Sequence, residues 1–252
     1  MQTRNPVLKS RAFSGAGGYA GAIDYGENMT IQGTINKTGV LLLLAFASAA
    51  WVWHMAYTSG GSAAVGGLVM VGAIGGLVVA LVTIFKQSWA PITGPLYALL
   101  EGLVLGGVSA MFAAAYQGIV MEAVALTFGV LACMLLAYKS GLIRATEKFK
   151  VGVIAATGGI MLLYVASMVL GFFGIRIPGI FGNGPIGILF SLGVVVIAAL
   201  NLILDFDAIQ RGAAAGAPKY MEWFGAFALM ITLVWLYLEI LRLLALLQGG
   251  ER

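Results

Sequence analysis

Seven long runs of apolar residues, separated by short polar or Gly- and Pro-rich stretches, dominate the pattern of the chain. An apolar run of about 20 residues has the length of a helix that crosses a bilayer. The runs predict helices at residues 39–58, 63–85, 93–115, 119–138, 151–173, 185–204 and 222–247. Turn signals lie between them, such as Gly60 and Gly61 after the first run and Pro185 at the start of the sixth. We therefore expect an all-α fold, a polytopic membrane protein built as a seven-helix bundle.

The first 38 residues differ from the remainder of the chain. They are polar, rich in Gly and Ala, and carry the basic residues Arg4, Lys9, Arg11 and Lys37. Such a composition is typical of a flexible segment. The sequence thus predicts a flexible cytoplasmic N-terminal tail over residues 1–38 and a transmembrane domain over residues 39–252.

Composition supports the membrane assignment. Of 252 residues, 61% are hydrophobic and 10% are charged, whereas soluble domains carry about 25% charged residues. The formal net charge of +4 comes from basic residues placed between apolar runs, where they set orientation in the membrane. The lipid bilayer is therefore an expected partner, and nucleic acid is not.

Loop charges predict the orientation. Basic residues of the tail, of the loop 139–150 and of the loop after the sixth run fall on one side, which the positive-inside rule makes cytoplasmic. The other side has Arg176 and Arg252. The N-terminus should be cytoplasmic, the C-terminus should lie outside, and a bacterial inner membrane is the expected location.

Small residues recur four positions apart within several runs. Examples are Gly72 with Gly76, Gly102 with Gly106, and Gly152 with Ala156. This spacing places small side chains on one helix face and allows close helix packing. We expect helix–helix contacts at these pairs.

Ionisable residues inside a membrane are costly, so each one is a functional candidate. Glu101 lies in the third run, and we expect it to face the bundle interior. Glu239 and Arg242 lie three apart in the seventh run, so they can pair on one helical face. The structural alternatives are a hydrogen-bonded carboxyl for Glu101 and a plain ion pair for the other two.

Asp205 and Asp207 come where the sixth run ends. Two residues apart on a helix, they point about 200° apart, so one can face the bundle and the other the loop. Carboxylates suit a hard cation such as Ca²⁺, and we predict an ion site or pH-sensitive constriction here. Burial and like charge would favour protonation, whereas Arg211 and Lys219 would oppose it. The alternative is a pair of fully hydrated carboxylates.

Enzyme signatures are missing from the sequence. The chain has one histidine, His54, and one cysteine, Cys133, and it lacks the HExxH, CxxC, GxSxG and Walker motifs. We therefore expect a protein that is not an enzyme. It should need no cofactor, although Ca²⁺ would be a transported ion.

Three segments carry a family resemblance: residues 29–38 (MTIQGTINKT), 201–212 (NLILDFDAIQRG) and 233–244 (LVWLYLEILRLL). They resemble the transmembrane Bax inhibitor motif family, in a bacterial branch. The resemblance implies a seven-helix bundle with the last helix central. It also implies a pH-sensitive calcium leak, gated by two aspartates on helices six and seven that share a proton.

Carried over by position, the first of those aspartates falls on Asp207, with Asp205 as the second choice. The other falls near Thr232, which is not acidic. Either Asp205, Glu239 or Glu101 supplies the second carboxylate, or the proton-sensing pair is absent.

Three functional hypotheses follow. The first is a pH-sensitive calcium or cation leak channel. The second is a non-conducting membrane regulator that binds a membrane protease or another membrane protein. The third is a proton-coupled transporter.

Overall fold

The computed structural model of the protein describes residues 28–58, 65–174, 180, 182 and 184–249. The all-α prediction is confirmed, and seven helices of the described chain are long and apolar enough to cross a membrane. They are α1 (Ile31–Thr58), α2 (Gly66–Phe85), α3 (Ala90–Ala115), α4 (Ile119–Lys139), α5 (Glu147–Phe172), α6 (Pro185–Ala214) and α7 (Met221–Gly249).

The first helix begins earlier than its apolar run. The run begins at residue 39, but α1 begins at Ile31, so residues 31–38 are helical. A polar residue of this segment lies inside the protein. Thr34 is fully buried, and its hydroxyl donates to the carbonyl of Thr30. The predicted tail is thus shorter by these residues, and residues 1–27 lie outside the described part of the chain.

The sixth helix continues about ten residues past the end of its apolar run. Asp205 and Asp207 therefore lie inside α6 and not at its end, which corrects the sequence-based placement. The Asp207–Arg211 ion pair, four residues apart, supports the extra turns. The helix stops before Gly216, whose φ of 66° is a conformation that favours glycine.

The last helix is central, as the family resemblance implies. It packs against α1, α3, α4 and α6, and 61% of its most apolar window is buried, against 39% or less in the other described helices. Its Leu236, Ile240 and Leu241 lie in the largest buried cluster, with Ile119 of α4 and Leu202 of α6.

Small residues bring α1, α2 and α3 together. Gly102 and Gly106 of α3 lie so close to the backbone of Ala45 and Ala49 in α1 that a Cβ atom would not fit. Gly72 of α2 lies against α3 in the same way. The contacts expected at these glycines are confirmed. Gly152 of α5 faces open space instead, so the contact expected at Gly152 is wrong.

The fifth helix lies at the edge of the bundle. Its main packing partner is α6, and only 11% of its apolar window is buried, the smallest share among the described helices. Its N-terminus is capped by Thr146, whose hydroxyl accepts from the backbone N–H of Phe149. Few apolar contacts therefore hold α5 in place, and its polar contacts carry more weight.

One end of the bundle gathers most of the basic residues of the described chain. The backbone N–H of Met29, before α1, donates to the carbonyl of Ala217, before α7. The hydroxyl of Tyr138, near the end of α4, donates to Gln210 of α6 over 2.6 Å. The loop between α4 and α5 lies at this same end. Arg4, Lys9, Arg11, Arg176 and Arg252 lie outside the described residues.

The orientation of the protein can be tested by cysteine labelling. In a Cys133→Ala background, Ser140→Cys should resist a membrane-impermeant maleimide added to intact cells, because the basic loop 139–150 should be cytoplasmic. Gln117→Cys, exposed between α3 and α4, is the matched control and should label readily. Strong labelling at position 140 with none at 117 would reverse the orientation.

Candidate functional site

Asp205 lies in α6 and faces α7. The Thr232 hydroxyl donates to Asp205 Oδ2 over 2.6 Å, and Thr232 is 8% exposed. No Lys, Arg or His of the described chain lies within ion-pair distance of Asp205. A partly buried carboxyl inside the bundle therefore has a hydroxyl partner and no counter-charge.

Asp207 points to a different side of α6, as the helical geometry predicts for residues two apart. Its Oδ2 lies 3.1 Å from Lys150 Nζ, in the first turn of α5, and 2.8 Å from Arg211 Nε. The side chain of Asp207 is 17% exposed. This carboxylate is already matched by two cations, and one of those ion pairs joins α5 to α6.

A polar contact lies further into the membrane between the same two helices. The side-chain amide of Asn201 donates to Thr157 Oγ1 of α5 over 2.8 Å and to the carbonyl of Ile197 over 2.9 Å. Both side chains are partly buried. Their pairing replaces hydrogen bonds that lipid cannot supply.

Glu239 and Arg242 lie on α7, toward the opposite end. They form the expected ion pair, with Arg242 Nη1 3.8 Å from Glu239 Oε2. Tyr164 of α5 joins them, because its hydroxyl donates to Glu239 Oε1 over 2.5 Å and accepts from Arg242 Nη1 over 2.9 Å. Arg242 Nη2 also donates to the carbonyl of Ile180 over 3.4 Å.

These groups form a line across the bundle, which we call the polar stripe. Lys150, Thr157 and Tyr164 are seven residues apart, so they lie on one face of α5 and extend about 21 Å along it. The hydrocarbon core of a bilayer is about 30 Å thick. The stripe also includes Asn201, Asp205 and Asp207 of α6 and Thr232, Glu239 and Arg242 of α7.

Glu101 lies apart from the polar stripe. It is half-buried on α3, and its Oε2 lies beside Gly76 of α2. The phenol of Tyr97, one turn earlier, is its polar neighbour. The structure thus places Glu101 at the interface of α2 and α3.

The sequence of these seven helices matches a known protein family. A family model described as Bax inhibitor 1 like matches residues 5–249, nearly the whole chain. The chain belongs to the Bax inhibitor 1 like family. No curated protein matches the chain, and no solved structure does. The family resemblance found in the sequence is confirmed by this match.

The family resemblance implies two aspartates that share a proton, one on helix six and one on helix seven. Position carried the first aspartate to Asp207, but the residue that touches Thr232 is Asp205. The α6 residue that contacts Thr232 is therefore Asp205, which was the second choice from the sequence. Thr232 of α7 supplies a hydroxyl, so this contact has one carboxyl group, whereas the resemblance implies two.

Asp205 and Asp207 do not share a ligand position. They contact different helices, and the described residues contain no group of three or more His, Cys, Asp or Glu that could hold a metal ion. A joint Ca²⁺ site made by both aspartates therefore does not fit this geometry.

Two features were missed from the sequence. The first is the α5 face, whose signal was polar residues at a spacing of seven within an apolar run. The second is Glu222, which is fully buried. Its Oε1 accepts from the backbone N–H and the hydroxyl of Thr30, each over 2.8 Å. Lys37 and Lys219 both form ion pairs with it.

Proposed function

We propose that this protein is a cation leak channel of the membrane, with Ca²⁺ as the expected ion, and that ions move along the polar stripe. The observation that carries the proposal is Asp205, a carboxyl inside the bundle with no cationic partner among the described residues. Charged groups at such depth mark ion pathways, and carboxylates attract cations in pores.

The arrangement of partners supports a closed state. Asp207 is paired with Lys150 and Arg211, and Glu239 with Tyr164 and Arg242. A cation could interact with these carboxylates only if their present partners moved away. The helix that carries Lys150 and Tyr164 is α5, which has the smallest buried share in the described bundle. Outward movement of α5 is the opening motion that we propose.

The two aspartates would affect the leak in opposite directions. Loss of the Asp207 charge would break the ion pair with Lys150, which ties α5 to α6, and would favour opening. Loss of the Asp205 charge would lower the leak, because the path would lose its unpaired negative charge. We therefore expect the leak to be pH-sensitive.

The experiment is a Ca²⁺ flux assay with purified protein in liposomes that contain a Ca²⁺ indicator. We expect an influx above that of empty liposomes, without saturation at low millimolar Ca²⁺ and without need of a proton gradient. A flux that depends on a proton gradient would favour a transporter instead. Absence of flux at every pH in folded protein would contradict the proposal and favour a non-conducting regulator.

The missing second carboxyl gives a further prediction. Thr232→Asp would place a second carboxyl beside Asp205, where the Thr232 hydroxyl now lies at 2.6 Å. Two carboxyl groups this close hold one proton between them. Ca²⁺ flux in liposomes should then change more steeply with pH than in the unaltered protein. Thr232→Asn is the matched control, and identical pH profiles for the two variants would contradict the prediction.

A further inference from the structure

A large cleft lies between α1 and α4 at the end of the bundle that holds the basic residues. Its volume is about 920 Å³, near the upper end of the roughly 300–1,000 Å³ usual for small-molecule sites. Residues of α6 and α7, including Phe206 and Leu233, form its floor. We call it the lateral cleft. Ile31 and Ile35 of α1 line it and are 47% and 53% exposed, so it opens at the side of the bundle.

The walls of the lateral cleft are mainly apolar and as deep as one leaflet. On α1 they extend from Ile31 to Leu42, and these two residues lie about 16 Å apart along the helix. Half of the hydrocarbon core of a bilayer is about 15 Å. Leu131 and Leu135 of α4 form the facing wall. The depth and lining match a lipid acyl chain that enters from the adjoining leaflet.

The mouth of the lateral cleft is basic. Lys139 and Arg144 both line it, and neither has an ion-pair partner among the described residues. Asp207 also lines the cleft, but Lys150 and Arg211 already match its charge. Two unpaired cations at one end of an apolar cleft complement a phosphate at the end of an acyl chain.

We propose that the lateral cleft binds an anionic phospholipid, with an acyl chain between α1 and α4 and the phosphate at Lys139 and Arg144. Basic pockets between membrane helices recognise anionic headgroups in this way. The inference concerns a lipid site at α1 and α4. It does not depend on whether ions cross the polar stripe.

The test is native mass spectrometry of delipidated, full-length protein titrated with palmitoyl-oleoyl phosphatidylglycerol. The same lipid with a phosphatidylcholine headgroup keeps the chains and lacks net charge. We expect binding of the first to be tighter, on the order of thirtyfold, from two basic residues near the surface. The double variant Lys139→Gln with Arg144→Gln should lose that preference. Lys148→Gln, exposed in the same region but outside the cleft, should keep it.

A second variant tests the cleft itself. A Cβ on Gly39 would meet nothing within 4 Å, so Gly39→Trp should fold and fill the cleft, and binding of both lipids should fall. Gly129→Trp, also in open space on α4 but not in the cleft, is the matched control. Equal binding of both lipids by unaltered protein would overturn the proposal. So would oleate binding as tightly as the phosphatidylglycerol, or full lipid binding by a folded Gly39→Trp variant.

Discussion

Asp205→Asn should reduce Ca²⁺ flux in liposomes by about tenfold, which corresponds to roughly 1.4 kcal/mol. The substitution keeps the size of the side chain and its contact with Thr232, which lies 2.6 Å away. It removes the only charge of the polar stripe that has no counter-charge in the described structure. A permeating cation would then lose its main attraction within the bundle.

Replacement of the neighbouring Asp207 should change Ca²⁺ flux in the opposite direction. Asp207→Asn removes the charge that holds Lys150 of α5 at 3.1 Å, so the closed state should weaken. Flux should rise severalfold, because the ion pair that ties α5 to α6 is lost. Glu122→Gln, an exposed acid on α4 outside the polar stripe, should leave flux unchanged. If neither aspartate variant alters flux or its pH profile in folded protein, the two aspartates do not control the leak, and Glu101 or Glu239 becomes the better candidate.

Glu222→Gln should lower the free energy of unfolding by about 3 kcal/mol, the magnitude seen when a buried ion pair loses one partner. Glu222 is fully buried and lies among two lysines and Thr30. In the variant, Lys37, whose side chain is 18% exposed, would lose its counter-charge. Lys219 is 45% exposed and can be hydrated instead. Its lost ion pair therefore adds little to the loss in free energy of unfolding.

Thermal unfolding in detergent measures this effect, with Glu147→Gln as the matched control. Glu147 also pairs with a lysine three residues away, but its side chain is 87% exposed, and exposed pairs contribute less than about 1 kcal/mol. A melting temperature for Glu222→Gln equal to that of Glu147→Gln would show that the buried cluster does not hold α1 to α7. Gly33→Ala should act like Glu222→Gln, because a Cβ at Gly33 would collide with the Glu222 carboxylate.

The sequence by itself determined the fold class, the number of spans and the family. Long apolar runs specify membrane helices because an unpaired backbone costs too much in lipid, so length and hydropathy suffice. The pairing of Glu239 with Arg242 was equally local, since residues three apart share a helix face. The glycines that join α1 and α3 could be named for the same reason.

Only the tertiary structure decided which partners the ionisable groups have. Nothing local distinguishes Asp205 from Asp207, yet α7 gives the first a hydroxyl and α5 gives the second a lysine. Glu222 resembled an ordinary helix start, and its burial depends on Thr30 and Lys37, more than 180 residues away. Helix ends depend on such contacts too, because α1 and α6 continue where their polar residues find partners. Periodicity specifies the helices, whereas the counter-charges depend on which faces meet.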